Sequence, residues 1–127
     1  MSKKRIIETS NSSAPIGPYS KAVQAGDFIF LSGVIALTPQ GELLNHSIEV
    51  ETTQVMENIK SILKDANVGF ENVVKTSIFL SDMSLFNDVN EVYKKYFTGD
   101  YPARETVAVK GLPRNANVEI SMIVLMN

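Results

Sequence analysis

Residues 118–125, Val-Glu-Ile-Ser-Met-Ile-Val-Leu, constrain this chain more than any other segment. Val118, Ile120, Met122 and Val124 alternate as the core face of a strand should. Ile123 and Leu125 put apolar side chains on the opposite face as well. A strand that is apolar on both faces needs cover on both faces. The rest of the chain offers only two helical segments, enough to cover one side of a sheet. The reading is therefore a sheet with both helices on one face and another copy of the chain on the other.

The remaining elements follow from periodicity and punctuation. Residues 27–32 (Asp-Phe-Ile-Phe-Leu-Ser) read as a strand closed by Gly33, and residues 22–24 pair with it across a turn at Ala25-Gly26. Residues 47–67 carry the clearest helical stripe, built from Ile48, Val55, Ile59, Ile62, Leu63 and Ala66, with Gly69 as the stop. Residues 73–80 read as a strand. A second helix is expected over residues 84–97, N-capped by Ser84, buried through Leu85, Phe86, Val89, Val92, Tyr93, Tyr96 and Phe97, and stopped by Gly99. Strands at residues 106–109 and 118–125 complete the order β-β-α-β-α-β-β. That is an α+β mixed sheet in a single domain over residues 1–127.

Composition removes several kinds of chemistry. A net charge of -2 gives no electrostatic reason to bind nucleic acid. Cysteine is absent, so disulfides, thiolate nucleophiles and thiolate metal sites are excluded. The single histidine, His46, builds neither a histidine-rich zinc site nor an ordinary Ser-His-Asp triad. No phosphate loop or nucleotide fingerprint occurs, and no metal site is expected. The basic start, Met1 to Arg5, lacks a following apolar run, and no run approaches the ~20 residues of a membrane span. The expectation is a soluble cytoplasmic protein.

Among polar residues, Arg104 and Glu119 draw attention because each interrupts or borders an apolar run. An arginine fork suits a planar carboxylate, and a nearby glutamate suits a water. The pair gains weight over plain surface residues only if their strands are neighbours. Tyr19, in the rigid turn after Gly17-Pro18, is either a core cap or a phenol closing a pocket. Ser32-Gly33 offers a hydroxyl and an unobstructed amide at a strand end, and Asn90 lies in the second helix.

Read together, these pieces resemble the RidA/YjgF family of imine deaminases. The resemblance runs through Ala14-Pro15-Ile16-Gly17-Pro18-Tyr19-Ser20, Leu31-Ser32-Gly33, Val74-Lys75-Thr76-Ser77-Ile78-Phe79-Leu80 with Asp82-Met83, Val89-Asn90-Glu91-Val92-Tyr93, Pro102-Ala103-Arg104, and Leu112-Pro113 leading to Val118-Glu119-Ile120. It implies a chorismate-mutase-like α+β fold and a homotrimer with sites between subunits. It also implies that Arg104 binds a substrate carboxylate and that Glu119 stands near the reacting water. Tyr19, Ser32, Gly33, Asn90 and Thr106 would contribute to substrate binding, Thr106 through its backbone. The implied substrates are 2-aminoacrylate and 2-aminocrotonate in their imine forms, hydrolysed to 2-oxo acids and ammonia without a cofactor or metal. Two departures stand out: Glu105-Thr106 replaces the common Ser-Cys, and Ser121 stands where many members have a second glutamate. A module that senses 2-oxo acids or binds a protein partner is the main alternative. A nuclease and a chorismate mutase rank below it.

Overall fold

The computed structural model describes residues 4–10, 14–15 and 17–126. Residues 11–13 of the turn-rich stretch, and Ile16 of the Ile-Gly-Pro-Tyr motif, lie outside them. Among the described residues the strands are β1 (Lys4–Ile6), β2 (Ala22–Ala25), β3 (Phe28–Leu31), β4 (Val73–Leu80), β5 (Ala103–Ala108) and β6 (Val118–Leu125). The α-helices are α1 (Ile48–Asp65) and α2 (Phe86–Tyr93). The strands form one mixed sheet in the order β1-β2-β3-β6-β4-β5. Only β4 and β5 run parallel, because α2 carries the chain across between them.

Helix α1 forms where its stripe is most regular. Ser47 caps it, its hydroxyl accepting the Val50 N–H at 3.1 Å. Val55, Met56, Ile59, Ile62 and Leu63 then pack against the sheet with almost no exposure. The helix ends on Asn67, whose φ of 60° turns the chain while the Val68 N–H reaches back to the Leu63 carbonyl. Gly69, the expected stop, instead begins a short 3-10 turn. The second helix also differs from expectation. It breaks into a 3-10 turn (Met83–Leu85), α2 itself and another 3-10 turn (Lys94–Tyr96). Its entry is capped by Asp82, whose carboxylate accepts the Ser84 N–H at 2.8 Å, and not by Ser84.

Two strands correct the reading at the sheet's edges. β1 adds a short, exposed edge strand that the sequence pattern did not suggest. β5 begins at Ala103 rather than residue 106, which places Arg104 inside the strand and fixes its face. Both helices lie over one face, built from Ile29, Thr76, Ile78, Leu80, Val118, Ile120, Met122 and Val124. The other face shows Phe28, Phe30, Val107 and Leu125 at 39–45% exposure. Among polar groups on that face, Lys75 pairs with Glu105 at 3.0 Å and the Ser77 hydroxyl donates to Glu105. These contacts hold the Glu105 carboxyl below the usual carboxylate range, the Ser77 bond most of all. No helix among the described residues is long and apolar enough to cross a membrane.

Candidate functional site

Glu119 and Arg104 each organise a cavity, and the two cavities are separate. Glu119 is paired with Phe79, between the inward-facing Val118 and Ile120. Its side chain therefore lies on the face away from the helices. The chain after β3 crosses beneath it. Val34 and Ile120 exchange N–H···O bonds of 2.8 and 3.0 Å, which brings Gly33 against the glutamate. A Cβ at Gly33 would lie 2.6 Å from the Glu119 carboxyl carbon and Oε2, so only glycine admits this approach. Tyr19, Ser32, Gly33, Ile35, Leu37, Pro113 and Glu119 line the resulting cavity of about 250 Å³. Burial pushes the Glu119 carboxyl up from its ordinary range.

The residues around this cavity hold one another in place. The Ser32 hydroxyl donates to the Ser20 carbonyl at 2.6 Å, and the Ser32 N–H donates to the Lys21 carbonyl at 2.9 Å. The hydroxyl that the sequence offers to a ligand thus fastens the loop that presents Tyr19. Asn58, in α1, is a residue the sequence reading missed. Its amide donates to the carbonyls of Ile35 and Leu37 at 3.1 and 2.8 Å, fixing the cavity's apolar wall, and accepts from Gln54 at 2.7 Å. The signal was available, since Asn58 is a polar residue inside the buried stripe between Val55 and Ile62. Lys21 lines the adjoining cleft, and its ammonium pKa is lowered by burial.

Arg104 pairs with Thr76, whose side chain is buried beneath the helices. Arg104 therefore faces α2. Its guanidinium carbon stands 5.7 Å from the Phe86 ring centre and 5.2 Å from that of Tyr93. Stacking of this kind orients the guanidinium while leaving its N–H edge for an anion. Among the described residues no carboxylate pairs with it. The Tyr93 hydroxyl donates to Thr76 Oγ1 at 3.0 Å. Burial pushes the Tyr93 phenol up, opposed by that hydrogen bond and by the Arg104 charge. Asn90, Tyr93, Lys94, Tyr101, Pro102 and Arg104 line a cavity of about 250 Å³. Thr106 shares the strand face of Arg104, and its buried hydroxyl has no hydrogen-bond partner.

The idea that Arg104 and Glu119 meet across neighbouring strands is corrected by this geometry. β4 lies between β5 and β6, and the two side chains project from opposite faces of the sheet. One chain therefore presents two separate cavities: Tyr19, Ser32, Gly33 and Glu119 line one, Asn90 and Arg104 the other. His46 is exposed and lines neither.

Comparison with known proteins bears on what such cavities do. The family described as Endoribonuclease L-PSP matches residues 9–126. Reactive Intermediate Deaminase A, chloroplastic, of Arabidopsis thaliana is 43% identical over 98% of this chain and 67% of its own length. The 2-iminobutanoate/2-iminopropanoate deaminase of Mus musculus is 44% identical over 96% of this chain and 91% of its own. Among solved structures, a Thermotoga maritima protein titled a putative endoribonuclease superposes with a TM-score of 0.92 at 44% identity, covering 97% of this chain and 98% of that one. E. coli TdcF with bound serine superposes with a TM-score of 0.91 at 34% identity, covering 97% and 99%.

Proposed function

The chain belongs to the Endoribonuclease L-PSP family, which includes the RidA/YjgF deaminases, and from that premise we propose that it hydrolyses small 2-imino acids to 2-oxo acids and ammonia. The substrates are the imine forms of 2-aminoacrylate and 2-aminocrotonate, released by PLP-dependent dehydratases. The observation that carries this reading is the guanidinium of Arg104, oriented by Phe86 and Tyr93 and paired with no carboxylate among the described residues. A planar substrate carboxylate fits that fork bidentately. The deaminase name of the mouse relative and the serine bound to E. coli TdcF support a small amino- or imino-acid ligand.

The halves meet between copies. The exposed apolar face of the sheet takes a second chain, and a homotrimer closes three such contacts. Arg104 of one copy then holds the carboxylate while Glu119 of its neighbour faces the imine carbon. A carboxylate with a raised pKa is suited to take a proton from the attacking water and return it to nitrogen. The water oxygen bonds to C2, and the C=N π pair moves to nitrogen, which is protonated. The same carboxylate then carries the carbinolamine hydroxyl proton to the amine, the C–N bond breaks, and ammonia leaves as the C=O forms. No covalent nucleophile is needed. Arginine orientation of the substrate and carboxylate handling of protons account for the modest acceleration an imine requires.

The test generates 2-iminobutanoate and 2-iminopropanoate in situ with a dehydratase, with semicarbazide competing for the imine. Wild type should accelerate 2-oxo acid release, and Arg104→Ala should lose about a hundredfold in kcat/KM, as loss of a bidentate charged pair predicts. An Arg104→Ala protein as fast as wild type would refute the assignment. A folded wild type without acceleration would leave a 2-oxo-acid-binding regulatory module.

A further inference from the structure

Glu51 is a carboxylate with no exposed surface, set in the first turn of α1. Such a group must find hydrogen bonds where it is buried. Glu51 finds them on one residue. It accepts the Asn117 backbone N–H at 2.7 Å and the Asn117 side-chain amide at 3.0 Å. The acceptors of Asn117 are taken by Ser81, just beyond β4. The Asn117 carbonyl accepts the Ser81 N–H at 2.9 Å, and its side-chain oxygen accepts the Ser81 hydroxyl at 2.9 Å. Asn117 thus directs both donors to α1 and both acceptors to the end of β4.

This joint stands two residues before Glu119. It closes the turn Pro113–Asn115, in which Arg114 and Asn115 adopt φ of 59° and 57° in succession. Two left-handed residues in a row, neither glycine, persist only where neighbours hold them. Pro113 of that turn also lines the Glu119 cavity. Beyond Glu119, the Val34–Ile120 bridge holds the strand. The glutamate's backbone is therefore held from both sides, and Glu51 is the interior anchor of one of them. Replacing buried charged groups by well-packed apolar residues is often neutral or stabilising, so stability alone does not account for a carboxylate here.

We propose that Glu51 is a positioning residue for the deamination, setting the Glu119 carboxylate against Gly33 through Asn117 and Ser81. This rests on Glu119 being the proton-handling group of the proposed reaction. The same joint sits at the root of the second half-site, since Asp82 follows Ser81 and caps the segment leading into α2.

Three variants test it: Glu51→Gln, Glu51→Ala and Asn117→Ala. Glutamine preserves the joint. Its carbonyl accepts the Asn117 N–H, and its amide donates to an Asn117 side chain turned over, which then donates to the Ser81 hydroxyl. Two readouts are taken on each folded protein: the 13C titration of the Glu119 carboxyl without substrate, and kcat and KM on the imines. Glu51→Gln should stay within about twofold of wild type in both constants. Glu51→Ala should lower kcat about tenfold or more with KM little changed, because the carboxylate-binding arginine is untouched. Its Glu119 titration should move down toward that of an ordinary exposed carboxylate. Asn117→Ala should move both readouts the same way and stands in if Glu51→Ala does not fold. A folded alanine variant with wild-type titration and wild-type kcat overturns the proposal. Glu51→Gln as impaired as Glu51→Ala also overturns it, since charge rather than the bonding pattern would then be what acts. If wild type itself does not deaminate, the proposed reaction fails, and the Glu119 titration alone still decides the positioning role.

Discussion

At the scale of single residues, Gly33 and Glu119 work as a unit. The glycine matters for its missing side chain, since its backbone is not in the left-handed region and its added Cβ would meet only the end of the glutamate. Gly33→Ala should therefore fold while pushing the carboxylate aside. A displacement near 1 Å costs about a hundredfold in rate, so kcat should fall by that order while the melting temperature changes little. Glu119→Gln should abolish most activity and yet stabilise the protein. Burial raises the Glu119 pKa in the folded state, so the folded chain holds that proton more tightly than the unfolded chain. The ionised side chain then opposes folding above its folded pKa, and the penalty fades as pH falls through it. Thermal melts should show the glutamine variant more stable at neutral pH, with the difference vanishing toward acid. Arg104 and Glu119 were legible in the sequence as charges beside apolar runs. Their faces were not, because a face depends on where β5 begins and on β4 lying between them, both long-range pairings.

At the scale of elements, legibility followed length and regularity. The 18 residues of α1 repeat their apolar stripe often enough to be read, and Ser47 supplies a capping side chain. β1 is three residues without alternation, held by pairing with β2, so nothing local announced it. The region around α2 keeps apolar residues at helix-like spacing from Leu85 to Phe97, which hides the two 3-10 turns that break it. The aromatics among them do more than fill space, since the Tyr93 ring lies under Arg104 while its hydroxyl reaches into the sheet. Tyr93→Phe should keep the stacking and leave the Thr76 hydroxyl buried without that donor. The expected cost is about 1–3 kcal/mol in denaturant-monitored stability, with KM nearly unchanged.

At the scale of the whole molecule, the sequence told of a missing cover. Val118–Leu125 is apolar on both sides, and the structure leaves Phe28, Phe30, Val107 and Leu125 exposed on the side without helices. What the sequence could not tell is that the sheet itself divides the polar residues, Arg104 to one side and Glu119 to the other. With the proposed site shared between copies, that division makes the two defects genetically separable. Arg104→Ala and Glu119→Gln proteins, each severely impaired alone, would carry complementary intact halves of that site. Unfolded together in equal amounts and refolded as mixed assemblies, they should regain roughly a quarter of the wild-type sites, the chance that an intact arginine meets an intact glutamate across a shared boundary. Refolding either variant alone should restore nothing. In a cell expressing both alleles the chain would then show interallelic complementation, a phenotype written by the orientation of two side chains on one strand ladder.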